Sequence, residues 1–174
     1  MHKNSFAGIS LLLLLSCGNP EQPQKMPQKY FDLKGYFQQE ATRLNQTRPL
    51  VHKTVAVNEA KESKQIRITD WNKELANFSD ADINKSAWQG FFKVVKNKQQ
   101  ELYSSDNDKV LVKKLLVTRK DNKITGIKLL LNTNNYLYNS TDTLSYFPDS
   151  LYEVKKSQQI RFLKEKRYTI KGRF

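Results

Sequence analysis

The sequence predicts an α+β fold, with an N-terminal helix and a short second helix packed on an antiparallel, meander-like β-sheet. Two stretches, Tyr30–Leu44 and Trp71–Phe78, repeat apolar residues at helical spacing. From Trp88 onward that period disappears, and short runs rich in Val, Ile, Thr, Tyr and Phe alternate with polar turns. Strands that follow one another through short turns pair as antiparallel neighbours, hence the meander.

In "YFDLKGYFQQEATRLN", Tyr30, Leu33, Phe37, Ala41 and Leu44 share one side of a helix, and Arg48-Pro49 stops the pattern. Leu50 to Ile68 reads as a hairpin, "LVHKTVAVN" and "KQIRI" joined by the polar "EAKES". In "TDWNKELANF", Thr69 or Asp70 caps a short helix that places Trp71, Leu75 and Phe78 on one face. Strands are expected at 87–96, 99–104, 110–119, 124–132, 135–140, 143–147, 151–155, 158–164 and 167–174. Turns between them carry Asn, Asp, Ser or Pro: "SSDND", "KDNK", "NTNN" and "FPDS". No internal repeat of roughly 20 to 50 residues is visible.

The N-terminus has a different organisation. Lys3 precedes an apolar run from Phe6 to Leu15, too short to span a bilayer, and Ser16-Cys17 follows it. "LLLLLSC" resembles the lipobox of bacterial lipoproteins. The resemblance implies that residues 1–16 are a signal peptide, that Cys17 receives a diacylglyceryl group, and that its new amino terminus is acylated as well. Cys17 is the single cysteine, so no internal disulfide is available to an exported chain, and lipidation gives that thiol a role. Two or three acyl chains, at about 0.8 kcal/mol per buried methylene, hold a protein to a membrane durably. Residues 17–29 then form the lipidated cysteine and a Pro/Gln-rich tether, in which Pro20, Pro23 and Pro27 forbid a helix. At about 3.1 Å per residue, "GNPEQPQKMPQK" reaches roughly 35 Å from the bilayer. Residues 30–174 are one domain.

Charge and composition narrow the function. Thirty Lys and Arg stand against seventeen Asp and Glu, a formal net charge of +13. With six glycines, neither a Walker A loop nor a dinucleotide fingerprint is present. Cleavage removes His2 and leaves His52 alone in a predicted strand, which excludes the usual zinc clusters; no metal and no cofactor are expected. For an exported, anchored protein the basic charge points to an envelope protein, an anionic glycan or an anionic lipid rather than to nucleic acid. Among the basic residues of the C-terminal segment, Arg161, Arg167, Lys171 and Arg173 are the candidate anion-binding set. In the last strand Tyr168, Ile170, Gly172 and Phe174 alternate with Arg167, Thr169, Lys171 and Arg173, so one face packs and the other is cationic.

Carboxylates offer the alternative, a small glycan-active hydrolase. Asp70 and Glu74 stand four residues apart beside Trp71, and Asp80 and Asp82 precede Trp88. Glycosidic cleavage needs an acid and a second carboxylate flanking the sugar, but acids at a helix start also cap it and complement its dipole. A further alternative is a lipid or assembly accessory whose sheet encloses an apolar cavity on its helix side. "DWNKELANFSDADINKSAW" is similar to a segment of uncharacterised lipoproteins of Bacteroidota-type bacteria, a resemblance that implies no activity. Asp142-Thr143-Leu144 and Asp149-Ser150-Leu151 resemble the O-glycosylation acceptor of exported proteins in that phylum, which implies exposed Thr143 and Ser150. "YTIKGRF" also resembles the terminal signature of outer-membrane β-barrels, but cationic strand faces argue against a lipid-facing wall. The leading expectation is a lipid-anchored, non-enzymatic binding protein of the bacterial cell envelope, at the outer membrane.

Overall fold

A computed structural model describes residues 29–174. The expectations for Cys17, the signal peptide and most of the tether lie outside the described residues. The described residues are predominantly β: nine strands form one antiparallel sheet, and the helices among them are few, so the α+β expectation holds only in part.

Helix α1 spans Leu33–Thr47. Asp32 caps it, accepting a hydrogen bond from the Gly35 N–H at 2.8 Å. A Cβ at Gly35 would lie 2.1 Å from the Asp32 carboxylate and displace it from this capping position. Arg48 ends the helix in a left-handed conformation just before Pro49. Leu33, Phe37, Ala41 and Leu44 are buried, as their spacing predicts, and Tyr30 is buried beside them.

Strands β1 (Leu50–Val57) and β2 (Ala60–Arg67) form the expected hairpin, but its turn is Asn58-Glu59 rather than "EAKES". Asn58 supplies the positive φ the tight turn needs, so the polar residues after it continue as strand. The second helical region splits at Leu75 into α2 (Trp71–Glu74) and α3 (Ala76–Ser79). The strand expected at 87–96 shrinks to β3 (Lys93–Lys96). Ser86–Trp88 forms a helical turn that buries Trp88, and Gly90 breaks the chain with φ +84°.

The remaining strands are β4 (Gln100–Ser104), β5 (Val112–Lys120), β6 (Lys123–Asn134), β7 (Tyr138–Phe147), β8 (Leu151–Ile160) and β9 (Lys166–Arg173). Two pairs of expected strands are therefore single ones. The segments 135–140 and 143–147 merge in β7, where Asp142 accepts from Ser140 at 2.6 Å and pairs with Lys156 at 3.3 Å instead of turning the chain. The segments 151–155 and 158–164 merge in β8, and the chain turns later, at Phe162, in a left-handed conformation.

The order is β2-β1-β9-β8-β7-β6-β5-β4-β3, a meander to which the first hairpin is joined through β1 and β9. With β2 and β3 at opposite edges, the sheet is open. The helices cover one face, where Phe37 stacks on Phe78 at 4.8 Å and meets Tyr146 edge-on at 5.1 Å. Trp71 stacks on Phe174 at 5.6 Å and meets Tyr152 edge-on at 5.8 Å. Full burial of apolar side chains of this kind contributes up to about 3 kcal/mol each. The other face carries the alternate residues of each strand and is mostly polar; it is called the open face below.

Candidate anion-binding face

Register assembles a basic cluster on the open face of β9, β1 and β2. His52 lies opposite Arg173, and Thr54 lies opposite Lys171. On the other side of β1, Thr54 faces Ser63, Ala56 faces Lys61 and His52 faces Gln65. Because side chains alternate along each strand, all of these project from one face. His52, Thr54, Lys61, Ser63, Lys171 and Arg173 surround a depression of about 220 Å³.

Strand spacing of about 4.8 Å puts Lys61 two strands, about 10 Å, from β9. An anion seated between the strands is about 5 Å from each side, inside the Debye length of about 8 Å at physiological salt, so it feels the cations together. Among the described residues Lys61, His52 and Arg173 form no ion pair, and Lys171 reaches Glu153 only at 3.6 Å. Glu153 is held more closely by Lys155, at 2.9 Å. The Thr54 and Ser63 hydroxyls share a 2.8 Å hydrogen bond that ties β1 to β2 at the floor. Guanidinium, ammonium and hydroxyl donors on one wall suit a phosphate or carboxylate.

The structure brings Lys171 and Arg173 together, as the alternation predicts, but separates the other two candidates. Arg167 is at the far end of β9 and pairs with Glu165 at 3.0 Å. Arg161 is in the β8–β9 turn, its guanidinium over the rings of Tyr136 and Phe162 at 4.7 and 4.9 Å. His52 and Lys61 complete the cluster instead; no local signal marks them, because only the β1–β9 and β1–β2 pairings bring them there.

The acids have structural tasks. Asp70 caps α2, accepting from the Lys73 N–H at 3.1 Å. Glu74 accepts from the Tyr152 hydroxyl at 2.6 Å and pairs with Lys53 at 2.7 Å. Asp80 is exposed at the end of α3, and Asp82 accepts from the Asn84 N–H at 3.0 Å. Trp71 and Trp88 are buried in the core rather than bordering a sugar site. The depression beside Asp70, about 540 Å³, is lined by Asn45, Arg48, Arg67, Ile68, Thr69 and Asn72 and holds no second carboxylate.

Glu74 belongs to a recurring arrangement. Tyr146 donates to Glu40, and Tyr103 donates to Glu101 at 2.5 Å. A cation meets each carboxylate: Arg43 on Glu40 at 2.9 Å, and Arg119 and Lys96 on Glu101 at 2.9 and 3.0 Å. Burial first, and then the carboxylate hydrogen bond, raise the hydroxyl pKa of Tyr103, Tyr146 and Tyr152. Burial works against the Glu101 charge, but the hydrogen bonds from Tyr103, Lys96 and Arg119 outweigh it and hold the carboxyl at about 2.

On the helix face, a depression of about 290 Å³ is lined by Lys53, Val55, Glu62, Lys64 and Ile66. Its exposed lining is mostly apolar, from Val55, Ile66 and the stems of the charged side chains, but it is an open depression rather than an enclosed cavity. A wider depression of about 700 Å³ lies between the β3–β4 and β5–β6 turns, beside Lys98, Arg119 and Lys120. Its guanidinium is already committed to Glu101. Among the described residues, no group of three or more His, Cys, Asp or Glu side chains is placed to hold a metal ion. Also among them, no helix is long and apolar enough to cross a membrane. Thr143, on the open face of β7, and Ser150, in the β7–β8 turn, are both exposed.

Comparison with protein-family models, with curated proteins and with solved structures finds no match to this chain.

Proposed function

We propose that this chain is a lipid-anchored protein of the bacterial cell envelope, at the outer membrane, that works by binding rather than by catalysis. Its ligand is an anionic glycan held on the open face of β9, β1 and β2. The observation that carries this reading is the cluster of Lys61, Lys171, Arg173 and His52 around one polar depression, with no carboxylate lining it among the described residues. Interleaved Thr54, Ser63 and Gln65 favour a glycan, because they offer hydrogen bonds to sugar hydroxyls between the charged contacts. "LLLLLSC" supports export and the anchor at Cys17, and Thr143 and Ser150 are proposed O-glycosylation acceptors.

Calorimetric titration of the full chain tests the binding, with polygalacturonate as a carboxylate probe and inorganic polyphosphate as a phosphate probe. The native chain binds, and added salt weakens the complex. Lys61→Glu with Lys171→Glu and Arg173→Glu weakens it by at least ~tenfold, since three cations around the depression become repulsive. Equal binding by native and variant chains would overturn the assignment. For the anchor, Cys17→Ser abolishes palmitate incorporation in cells; undiminished incorporation would contradict it.

A further inference from the structure

Two hairpin turns at the other end of the sheet form a second feature. The β6–β7 turn carries Tyr136 and Leu137, and the β8–β9 turn carries Phe162 and Leu163. These side chains are 81%, 67%, 91% and 56% exposed; of the other large apolar residues described, only Val95, at 64%, is comparably exposed. The turns are one unit, since the Arg161 N–H donates to the Leu137 carbonyl at 3.0 Å and Arg161 covers both Tyr136 and Phe162.

Local hydrogen bonds set their shape. Asn135 accepts from the N–H groups of Leu137 and Tyr138 at 2.9 and 3.0 Å. Gln159 donates to the Leu163 carbonyl at 2.6 Å, and Phe162 has φ +66°, a conformation rare for a bulky residue. Exposing a phenylalanine this way costs the free chain twice, in hydration and in backbone strain, against the Arg161 guanidinium over its ring.

Around the apolar tip stands a cationic collar of Arg161, Lys164, Lys166 and Arg167. Glu165, the acid among them, is already engaged by Ser157 and Arg167, and Glu59 in the neighbouring β1–β2 turn is the other carboxylate nearby. Aromatic and leucine side chains ringed by Lys and Arg match an anionic bilayer, with rings and aliphatic tips below the headgroups and cations among the phosphates.

We infer that the paired β6–β7 and β8–β9 turns dock the domain on an anionic lipid bilayer, inserting Tyr136, Leu137, Phe162 and Leu163 beneath a collar of Arg161, Lys164 and Lys166. This contact is independent of the anchor at Cys17 and uses none of the residues of the glycan cluster, whose Lys171 and Arg173 are at the opposite end of β9. Docking through this tip would hold the sheet by its end and leave the open face free for its ligand.

Site-directed spin labelling tests it in the full chain. Cys17→Ser removes the one native cysteine, so a nitroxide on Leu163→Cys reports the tip, and one on Asp121→Cys reports the opposite end of the sheet. Vesicles of phosphatidylcholine with phosphatidylglycerol should shield the label at 163 from a polar nickel quencher and raise its accessibility to oxygen. Phosphatidylcholine alone should change it little, and the label at 121 should stay in water with both. Arg161→Glu with Lys164→Glu and Lys166→Glu should reduce the immersed fraction at least ~tenfold, while polygalacturonate binding is unchanged. A label at 163 that stays as accessible to the polar quencher as the label at 121, or that is shielded only by added protein, would overturn the inference. The labelled sites are exposed turns, and near-ultraviolet circular dichroism confirms that each variant keeps its core.

Discussion

Gly172 is the point at which the sheet depends most directly on a missing side chain. A Cβ there would lie 2.2, 2.3 and 2.5 Å from three atoms of Tyr152, well inside the 3.0 Å limit of real contacts. The ring has little room to retreat. Trp71 stands edge-on against it at 5.8 Å, Phe174 closes another side at 6.2 Å, and its hydroxyl is held by Glu74 at 2.6 Å. Overpacking of this kind costs about 1–3 kcal/mol, and loosening a hydrogen bond to a charged group costs about 1.5–3 kcal/mol more when it is fully lost. Gly172→Ala is therefore expected to destabilise the protein by about 3 kcal/mol, lowering Tm by about 6–12 °C. Urea denaturation followed by tryptophan fluorescence measures it, because Trp71 is in the affected contact. The double variant Tyr152→Ala with Gly172→Ala should cost at least ~1 kcal/mol less than the sum of the single changes. A Gly172→Ala variant within ~0.5 kcal/mol of native, or strict additivity in the pair, would refute the packing of β8 against β9 and α2.

Three further outcomes follow from the charged pairs. Glu101 titrates near 2 in the fold against an ordinary value of 4.5, so its pairs stabilise the protein above that ordinary value and the stability is lost as pH falls from there toward 2; with Lys96 half exposed, the contribution is about 1–2 kcal/mol, and Glu101→Gln should remove it from urea titrations across that range. Tyr146 and Tyr152 have raised pKa values, so stability is present below the ordinary value of 10.0 and falls as pH rises beyond it; tyrosinate absorbance should appear together with loss of the near-ultraviolet dichroism, and Tyr146→Phe with Tyr152→Phe should move that transition to higher pH. Glu74→Gln should cost about 1–3 kcal/mol by leaving Lys53 and Tyr152 without their carboxylate, while polygalacturonate binding stays native; a loss of binding with stability intact would return Glu74 to the functional residues.

Helix α1 was legible because four buried residues keep one helical face and Arg48-Pro49 interrupts it. The alternation of β9 was legible for the same reason, a local period. Strand ends were harder. Thr141-Asp142 and Lys156-Ser157 look like turn chemistry, yet their polar groups bond across the β7–β8 ladder, with Asp142 on Lys156. The candidate site was half legible. Lys171 and Arg173 follow from the sequence of one strand, whereas His52 joins them only through the β1–β9 pairing, more than a hundred residues apart in the chain, and Lys61 through that pairing and the β1–β2 hairpin. Arg161 was grouped with them because of its charge, and a turn after Ile160 carries it to the other end of the sheet.

Binding on the open face of β9, β1 and β2 is tested most directly by mapping where an anion lands. A nitrogen-labelled full chain titrated with polygalacturonate should shift the backbone amides of residues 52–54, 61–63 and 171–173 progressively and saturably, and the shifts should vanish in the Lys61→Glu, Lys171→Glu, Arg173→Glu variant. Shifts centred instead on residues 98–100 and 119–122, or none that saturate, would contradict the account.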